Sequence, residues 1–247
     1  MKASLAVLVA FLTVSAATTF ARADTVFFDD FNSASGASPA WSNTSGNWTA
    51  DGGVYRAQEP DNFPNTHSFV STLPSLTDFS VTVDVNAARD GGVWLRASDV
   101  PGVGPGVTGV LLIFLNDEIH QNTLFLHEVR RPTPTSELVY GPELNSRSNQ
   151  FLGNFSLRID VQGNTYAAFV NGSPTPATTF VSNRFTSGYV GLYDDQPVTD
   201  PDLQSFDNFR LSDAPAPVPI PPVGGLFGLI LAGAGLLGWW RRRTADA

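Results

Sequence analysis

Between residues 24 and 213 apolar and polar side chains alternate in short runs. Phe79-Ser80-Val81-Thr82-Val83-Asp84-Val85 alternates throughout, the period-two signature of a strand with one buried face. Phe155-Ser156-Leu157-Arg158-Ile159-Asp160-Val161 repeats it; Gln162-Gly163-Asn164 and the run Thr165 to Val170 follow, which predicts a hairpin. Gly109 to Leu115 is apolar throughout and reads as a strand buried on both faces. Val93 to Ala97 after Gly91-Gly92, Leu124 to Val129, Gly188 to Tyr193 and Phe206 to Leu211 complete the predicted strands. No stretch of this region sustains a 3.6-residue apolar period, and Gly and Pro punctuate it every ten or so residues. The pattern predicts an all-β fold, an antiparallel sandwich or barrel. Residues 98–108 and 131–150 lack a pattern, are rich in turn formers and are expected to be long loops.

The two ends read differently. Met1-Lys2, an apolar run from Leu5 to Ala17 and Ala21-Arg22-Ala23 before Asp24 make residues 1–23 a secretory signal peptide. A first transmembrane helix is the alternative, but the run is short for one. At the other end no residue from Val223 to Trp240 is charged. As a helix this segment is about 27 Å long, close to the bilayer core of about 30 Å. Trp239 and Trp240 fall where an interfacial aromatic belt belongs, and Arg241, Arg242 and Arg243 form the basic cluster that stays cytoplasmic. The expected organisation is a signal peptide (1–23), a β-sandwich (24–213), a Pro-rich stalk (214–222), a transmembrane helix (223–240) and a cytoplasmic basic tail (241–247), with the sandwich on the far side of the membrane.

Charge narrows the partners. The chain carries 14 Lys and Arg against 23 Asp and Glu, for a net charge of −9. The body between the ends has no lysine. Nucleic acid is therefore not an expected partner, since phosphate binding needs a basic surface. Cations and neutral sugars stay open, and so does a role for the charge in solubility alone. There is no cysteine, which removes thiol nucleophiles and thiolate metal sites.

Two resemblances emerge. Val218-Pro219-Ile220-Pro221, the Gly-rich apolar span and the terminal arginines resemble the PEP-CTERM sorting signal over about residues 217–243. The naming Pro-Glu-Pro is here Pro219-Ile220-Pro221. The resemblance implies an exosortase-type transpeptidase as partner, cleavage near Pro221, and delivery from an inner-membrane precursor to the cell surface or extracellular matrix of a Gram-negative bacterium; a plain uncut anchor is the alternative. Asp29-Asp30-Phe31, Gly46-Asn47-Trp48, Gly52-Gly53-Val54-Tyr55, Gly92 to Ser98, the hairpin ending at Asn171-Gly172, Gly188 to Tyr193 and Phe206 to Leu211 resemble, in that order, the concanavalin A-like (laminin G-like) jelly roll. That family pairs its first and last strands, which would bring Asp29 and Asp30 near Asp207.

The chemistry is sparser. Glycoside hydrolysis needs two carboxylates flanking the bond; laminarinase-like relatives carry them as Glu-x-Asp-x-x-Glu on one strand. The nearest run here is Asn116-Asp117-Glu118-Ile119-His120-Gln121, whose adjacent acids would point to opposite faces of a strand. No catalytic residue is assigned. His67, His120 and His127 lack metal-pair spacing and read as single surface or loop residues. Asp29, Asp30 and Asp207 are the candidate ligands of a structural calcium ion, which takes oxygen ligands; strand-edge charges and turn formers are the plain alternative. Trp94 and Arg96, expected on the same face of their strand, are the candidate ligand surface, with a core role for Trp94 as the alternative. Trp41, Trp48 and Tyr55 read as core or edge packing. The Asn-x-Ser/Thr triplets at Asn43, Asn47, Asn154 and Asn171 mark surface turns. The expected function is a lectin-like surface or matrix protein that binds extracellular polysaccharide in a biofilm; a hydrolase of the same fold and a purely structural surface protein are the alternatives.

Overall fold

A computed structural model describes residues 24–32, 40–60, 66–98, 107–130, 139–195 and 203–213. The signal peptide, the stalk, the sorting motif Val218 to Pro221 and the terminal span with Trp239, Trp240 and Arg241 to Arg243 lie outside these residues. Among the described residues no helix is long and apolar enough to cross a membrane.

The strands are β1 (Thr25–Asp29), β2 (Trp41–Ser45), β3 (Trp48–Asp51), β4 (Val54–Ala57), β5 (His67–Val70), β6 (Phe79–Asn86), β7 (Asp90–Ser98) and β8 (Thr108–Leu115). They continue with β9 (Thr123–Arg130), β10 (Val139–Tyr140), β11 (Leu144–Arg147), β12 (Phe155–Gln162), β13 (Thr165–Val170), β14 (Thr178–Val181), β15 (Tyr189–Asp194) and β16 (Ser205–Ser212). Sheet A runs β14-β13-β12-β6-β16-β4-β3, with β1 also on β16; sheet B runs β10-β9-β8-β7-β15-β5-β2, with β11 also on β9. Every pairing among these strands is antiparallel. Of the sandwich and the barrel that the alternation allows, the described residues form the two-sheet antiparallel sandwich that the jelly-roll resemblance implies.

Alternation fixes the core. Phe79, Val81, Val83 and Val85 of β6 and Leu157, Ile159 and Val161 of β12 are buried between the sheets, facing Val93, Leu95, Leu112, Phe114 and Leu126 of sheet B. The β12–β13 hairpin turns at Gly163-Asn164, with Gln162 opposite Thr165. Gly163 takes a φ of +56°, where glycine avoids the Cβ clash. Trp41, Trp48 and Tyr55 join this core with Phe31, which stacks on Tyr55 at 4.8 Å between centroids.

The segment 131–150 departs from the expected loop. It contains β10 and β11, both paired with β9. β11 also reaches sheet A, where Thr178 Oγ1 donates to the Asn145 carbonyl at 2.7 Å. Two- and four-residue strands on a sheet edge need little apolar pattern, so the sequence leaves them unmarked.

Candidate functional site

Strand β8 is buried on both faces because sheet B carries a second apolar cluster on its outer side. Phe69, Trp94, Ala97, Val107, Leu111, Ile113, Phe125, Val129 and Tyr193 form it. The ladder sets these residues in rows across the sheet. One row is His127, Leu111, Trp94, Gly191 and Phe69; the next is Phe125, Ile113, Gly92, Tyr193 and His67. A third continues with Thr123, Leu115 and Asp90, beside which the Asp195 N–H donates to the Asp90 carbonyl at 3.0 Å.

All three histidines therefore serve one face. His67 and His127 stand on β5 and β9, and the His120 ring lies 6.0 Å from Phe125 at its border. The expectation of single, unrelated histidines is corrected: strand order brings together residues that sequence distance keeps apart. Asp117 and Glu118 do not sit on a strand but in the turn between β8 and β9. Asp117 accepts hydrogen bonds from the Ile119 N–H at 2.7 Å and the His120 N–H at 2.5 Å, an Asx-type turn. The His120 ring lies between Asp117 (Nδ1 to Oδ2, 3.1 Å) and Glu143 (Nε2 to Oε1, 3.3 Å).

This end of the face is acidic and protonically tuned. Burial, then the charges of Asp195 and Asp117, push the Asp90 carboxyl up to about 7, with His120 opposing. The hydrogen bond His120 donates to Asp117, then the charges of Asp117 and Glu143, raise His120 above the usual imidazole value against its own desolvation. Asp117 is lowered: partial burial works against its charge, but the His120 and Ile119 hydrogen bonds outweigh that. Gln204 braces the Asp90 backbone, accepting from the Arg89 N–H at 3.0 Å and donating to the Asp90 carbonyl at 3.3 Å. Tyr193 Oη donates to Asp195 Oδ2 at 3.0 Å. Neither Asp90 nor Gln204 carries a sequence signal; only the Gly91-Gly92 pair beside Asp90 marks the place. A Cβ on Gly91 would lie 2.0 Å from Gln204 Nε2, so the bracing contact needs glycine there.

The expected pairing of Trp94 with Arg96 is corrected. Trp94 lies wholly buried in the outer cluster. Arg96 turns to the other side of the sheet, because a β-bulge shifts the β7 register between Leu95 and Ser98 and Arg96 takes a φ of +48°. An extra residue of this kind resets which face each side chain takes. Glycine makes room for it: a Cβ on Gly188 would lie 2.2 Å from the Arg96 carbonyl carbon. The Arg96 guanidinium is then spent inside the fold. Nε and Nη2 donate to the Thr77 carbonyl at 2.9 and 2.6 Å. Nη1 donates to the Phe185 carbonyl at 2.8 Å and Tyr166 Oη at 3.2 Å, and Nη2 reaches Asp78 Oδ1 at 3.4 Å. All five N–H groups of a guanidinium are matched, which leaves none for a ligand. It forms the floor of a cleft of about 520 Å³ lined by Asp78, Asn164, Asn183 and Phe185, at the end of the sandwich away from Asp90. Trp94 is the opposite case: its indole Nε1 is buried without a hydrogen-bond partner among the described residues.

The candidate calcium ligands separate too. β1 pairs with β16, with Asp29 opposite Phe209. The Asp29 carboxylate accepts from the Phe31 N–H at 2.8 Å and from Trp41 Nε1 at 2.9 Å. It thus holds Phe31, at a φ of +52°, in the core. Asp30 comes near Asp207, whose carboxyl is raised by burial and then by Asp84 and Asp30. Among the described residues no group of three or more His, Asp or Glu side chains is arranged to hold a metal ion. Asp29, committed to Phe31 and Trp41, does not join Asp30 and Asp207 in one ligand set.

No family model and no curated protein matches the chain. Solved structures match its fold. A protein of unknown function with a galectin-like fold from Bacillus subtilis is similar at 10% identity over 80% of this chain and 99% of that one, with a TM-score of 0.53. The VIP36 exoplasmic/lumenal domain in its Ca2+/Man3GlcNAc-bound form is similar at 13% identity over 75% and 90%, with a TM-score of 0.53. The Emp46p carbohydrate recognition domain, potassium-bound, is similar at 10% identity over 71% and 89%, with a TM-score of 0.52. At such identities the likeness establishes architecture alone: the described body is a β-sandwich similar to the galectin-like fold.

Proposed function

We propose that this is an exported surface or matrix protein whose sandwich binds extracellular polysaccharide on the outer face of sheet B, and whose tail is sorted by an exosortase-type transpeptidase. The observation that carries the binding reading is the accessible border of that face, where His120, Asp117 and Glu143 meet and the His120 ring lies 6.0 Å from Phe125. Sugar recognition sets aromatic faces beside a few placed polar groups. The outer face of sheet A offers no equivalent: its Phe28 and Phe169 rings are covered by Arg210 and Arg158 at 4.7 and 3.9 Å. The solved VIP36 forms carry bound mannose and Man3GlcNAc, which supports the same reading. The Met1–Ala23 leader and the Val218–Arg243 tail support export and sorting; membrane fractionation with a Pro219→Ala, Pro221→Ala variant tests them, processing being lost if the motif is read.

Affinity electrophoresis in polysaccharide gels tests binding. The purified chain is retarded by at least one matrix polysaccharide, and Phe125→Ala abolishes the retardation while the far-ultraviolet spectrum is kept. Retardation unchanged by Phe125→Ala rejects this face as the site.

A hydrolase of the same fold is the second reading, favoured by one observation. Asp90 is held near neutrality beside the charges of Asp195 and Asp117, and carboxyls driven apart in this way serve as acid and base. Release of reducing ends from polysaccharide, lost in Asp90→Asn, would establish it; no release would reject it.

A further inference from the structure

The cleft above Arg96 is made by three connections. Thr77 and Asp78 precede β6, Gly163 and Asn164 form the β12–β13 turn, and Ser182 to Thr186 belong to the link between β14 and β15. These loops are tied to one another. Arg96, with 2% of its side chain exposed, donates to the Thr77 and Phe185 carbonyls. The Gly163 N–H donates to Asp78 Oδ1 at 2.9 Å, Asn164 Nδ2 to Asn183 Oδ1 at 3.0 Å, and the Ser182 N–H to the Asn164 carbonyl at 2.9 Å. The walls are thus set before anything enters, which removes much of the ordering cost of binding. The space of about 520 Å³ falls within the range of small-molecule sites, about 300–1,000 Å³.

The ties leave a defined set of groups over. Asp78 uses Oδ1 for Gly163 and Arg96. Its Oδ2 makes no hydrogen bond among the described residues, and 48% of the side chain is exposed. Asn183 uses its oxygen for Asn164, and its Nδ2 donates to nothing among the described residues. An open acceptor and an open donor therefore line one cleft, the combination that hydroxyl groups satisfy. Phe185, packed partly against the core, is the one large apolar residue of the lining. Charge in the cleft is closed: Asp78 lies 3.4 Å from Arg96, and nearby Arg184 lies 3.1 Å from Glu128. A charged ligand would give up hydration here without an unpaired counter-charge, whereas a neutral polyol carries no such penalty.

The geometry points to a neutral saccharide unit in this cleft, one hydroxyl donating to Asp78 Oδ2 and another accepting from Asn183 Nδ2, with a C–H face of the ring beside Phe185. Arg96 builds the site and does not touch the sugar. The site is independent of the sheet B border and lies at the end of the sandwich away from Asp90.

Titration calorimetry of the purified chain at pH 7 tests this with maltose, cellobiose and mannobiose as neutral probes and digalacturonate as the charged one. At least one neutral disaccharide is expected to bind with a Kd of about 1 mM or below, and digalacturonate about tenfold more weakly or not at all. Asn183→Asp keeps the acceptor for Asn164 and removes the donor, so the neutral sugar is expected to bind about tenfold more weakly. Thr186→Arg, at an exposed position of the lining, is expected to fill the cleft and abolish binding. Melting curves confirm that both variants fold. Disaccharide binding that survives both variants overturns the cleft site, and its loss in Phe125→Ala then assigns the sugar to the sheet B border. Binding of no neutral probe at about 10 mM, or tightest binding of digalacturonate, overturns the cleft site and leaves the border to its own gel test.

Discussion

The Asp195 N–H donates to the Asp90 carbonyl at 3.0 Å, and this single ladder bond sets two carboxyls side by side on the outer face of sheet B. Their repulsion, added to burial, raises Asp90 from 3.8 to about 7.

That shift makes stability fall with pH. Between about 4 and 7 the native state holds a proton on Asp90 that the unfolded chain has lost, so stability declines across that window and is flat above it. The full span corresponds to about 4 kcal/mol. His120, raised in the native state, acts in the same direction: its contribution is present below the imidazole value and lost as pH rises through its folded value. Urea denaturation from pH 4.5 to 8.5 is expected to show the decline, and Asp90→Asn to flatten most of it and to be the more stable protein at pH 8.

Arg96 is a clamp between loops. Arg96→Ala takes the Arg96 donors from the Thr77 carbonyl and from Tyr166 Oη, and leaves the Phe185 carbonyl only its bond from Tyr166 Oη. The expected loss is about 3 kcal/mol or more, read as a lower denaturation midpoint. Arg96→Lys is expected to recover only part of it, because an ammonium cannot reproduce the planar fork.

Gly188 admits the bulge that directs Arg96. In Gly188→Ala the new Cβ meets the Arg96 carbonyl carbon at 2.2 Å and the Ala97 carbonyl oxygen at 2.5 Å, both backbone and unable to swing aside. A loss of about 3 kcal/mol is expected, with faster amide exchange along β15 and β7.

Trp94→Phe separates packing from hydrogen bonding. It removes an N–H that has no partner among the described residues, so the melting temperature is expected to change little, the void left by the smaller ring offsetting the relief. Calorimetric melting reads the outcome.

Because Asp29 is committed to Trp41 and Phe31, chelation is expected to leave the melting temperature unchanged. A fall of several degrees in EDTA, reversed by calcium, would show an ion held by other groups.

The strands with strict alternation, β6 and β12, and the fully apolar β8 were legible because each encodes its own burial. The face taken by Arg96 was not, since the bulge depends on Gly188, remote in sequence and adjacent only once β15 pairs with β7. The histidine face was hidden for the same reason: His67 and His127 meet through the order β9-β8-β7-β15-β5, which no local pattern states. Asp29-Asp30-Phe31 was visible as a motif, but its work is a turn that seats Phe31, and that depends on Trp41 arriving from another strand.

The last strand is not a rim element. β16 lies between β6 on one side and β4 and β1 on the other, and Asp213 donates through its N–H to the Asp24 carbonyl at 3.1 Å. Any tension drawn through the C-terminal exit enters the middle of a sheet and must shear several ladders together before the body opens.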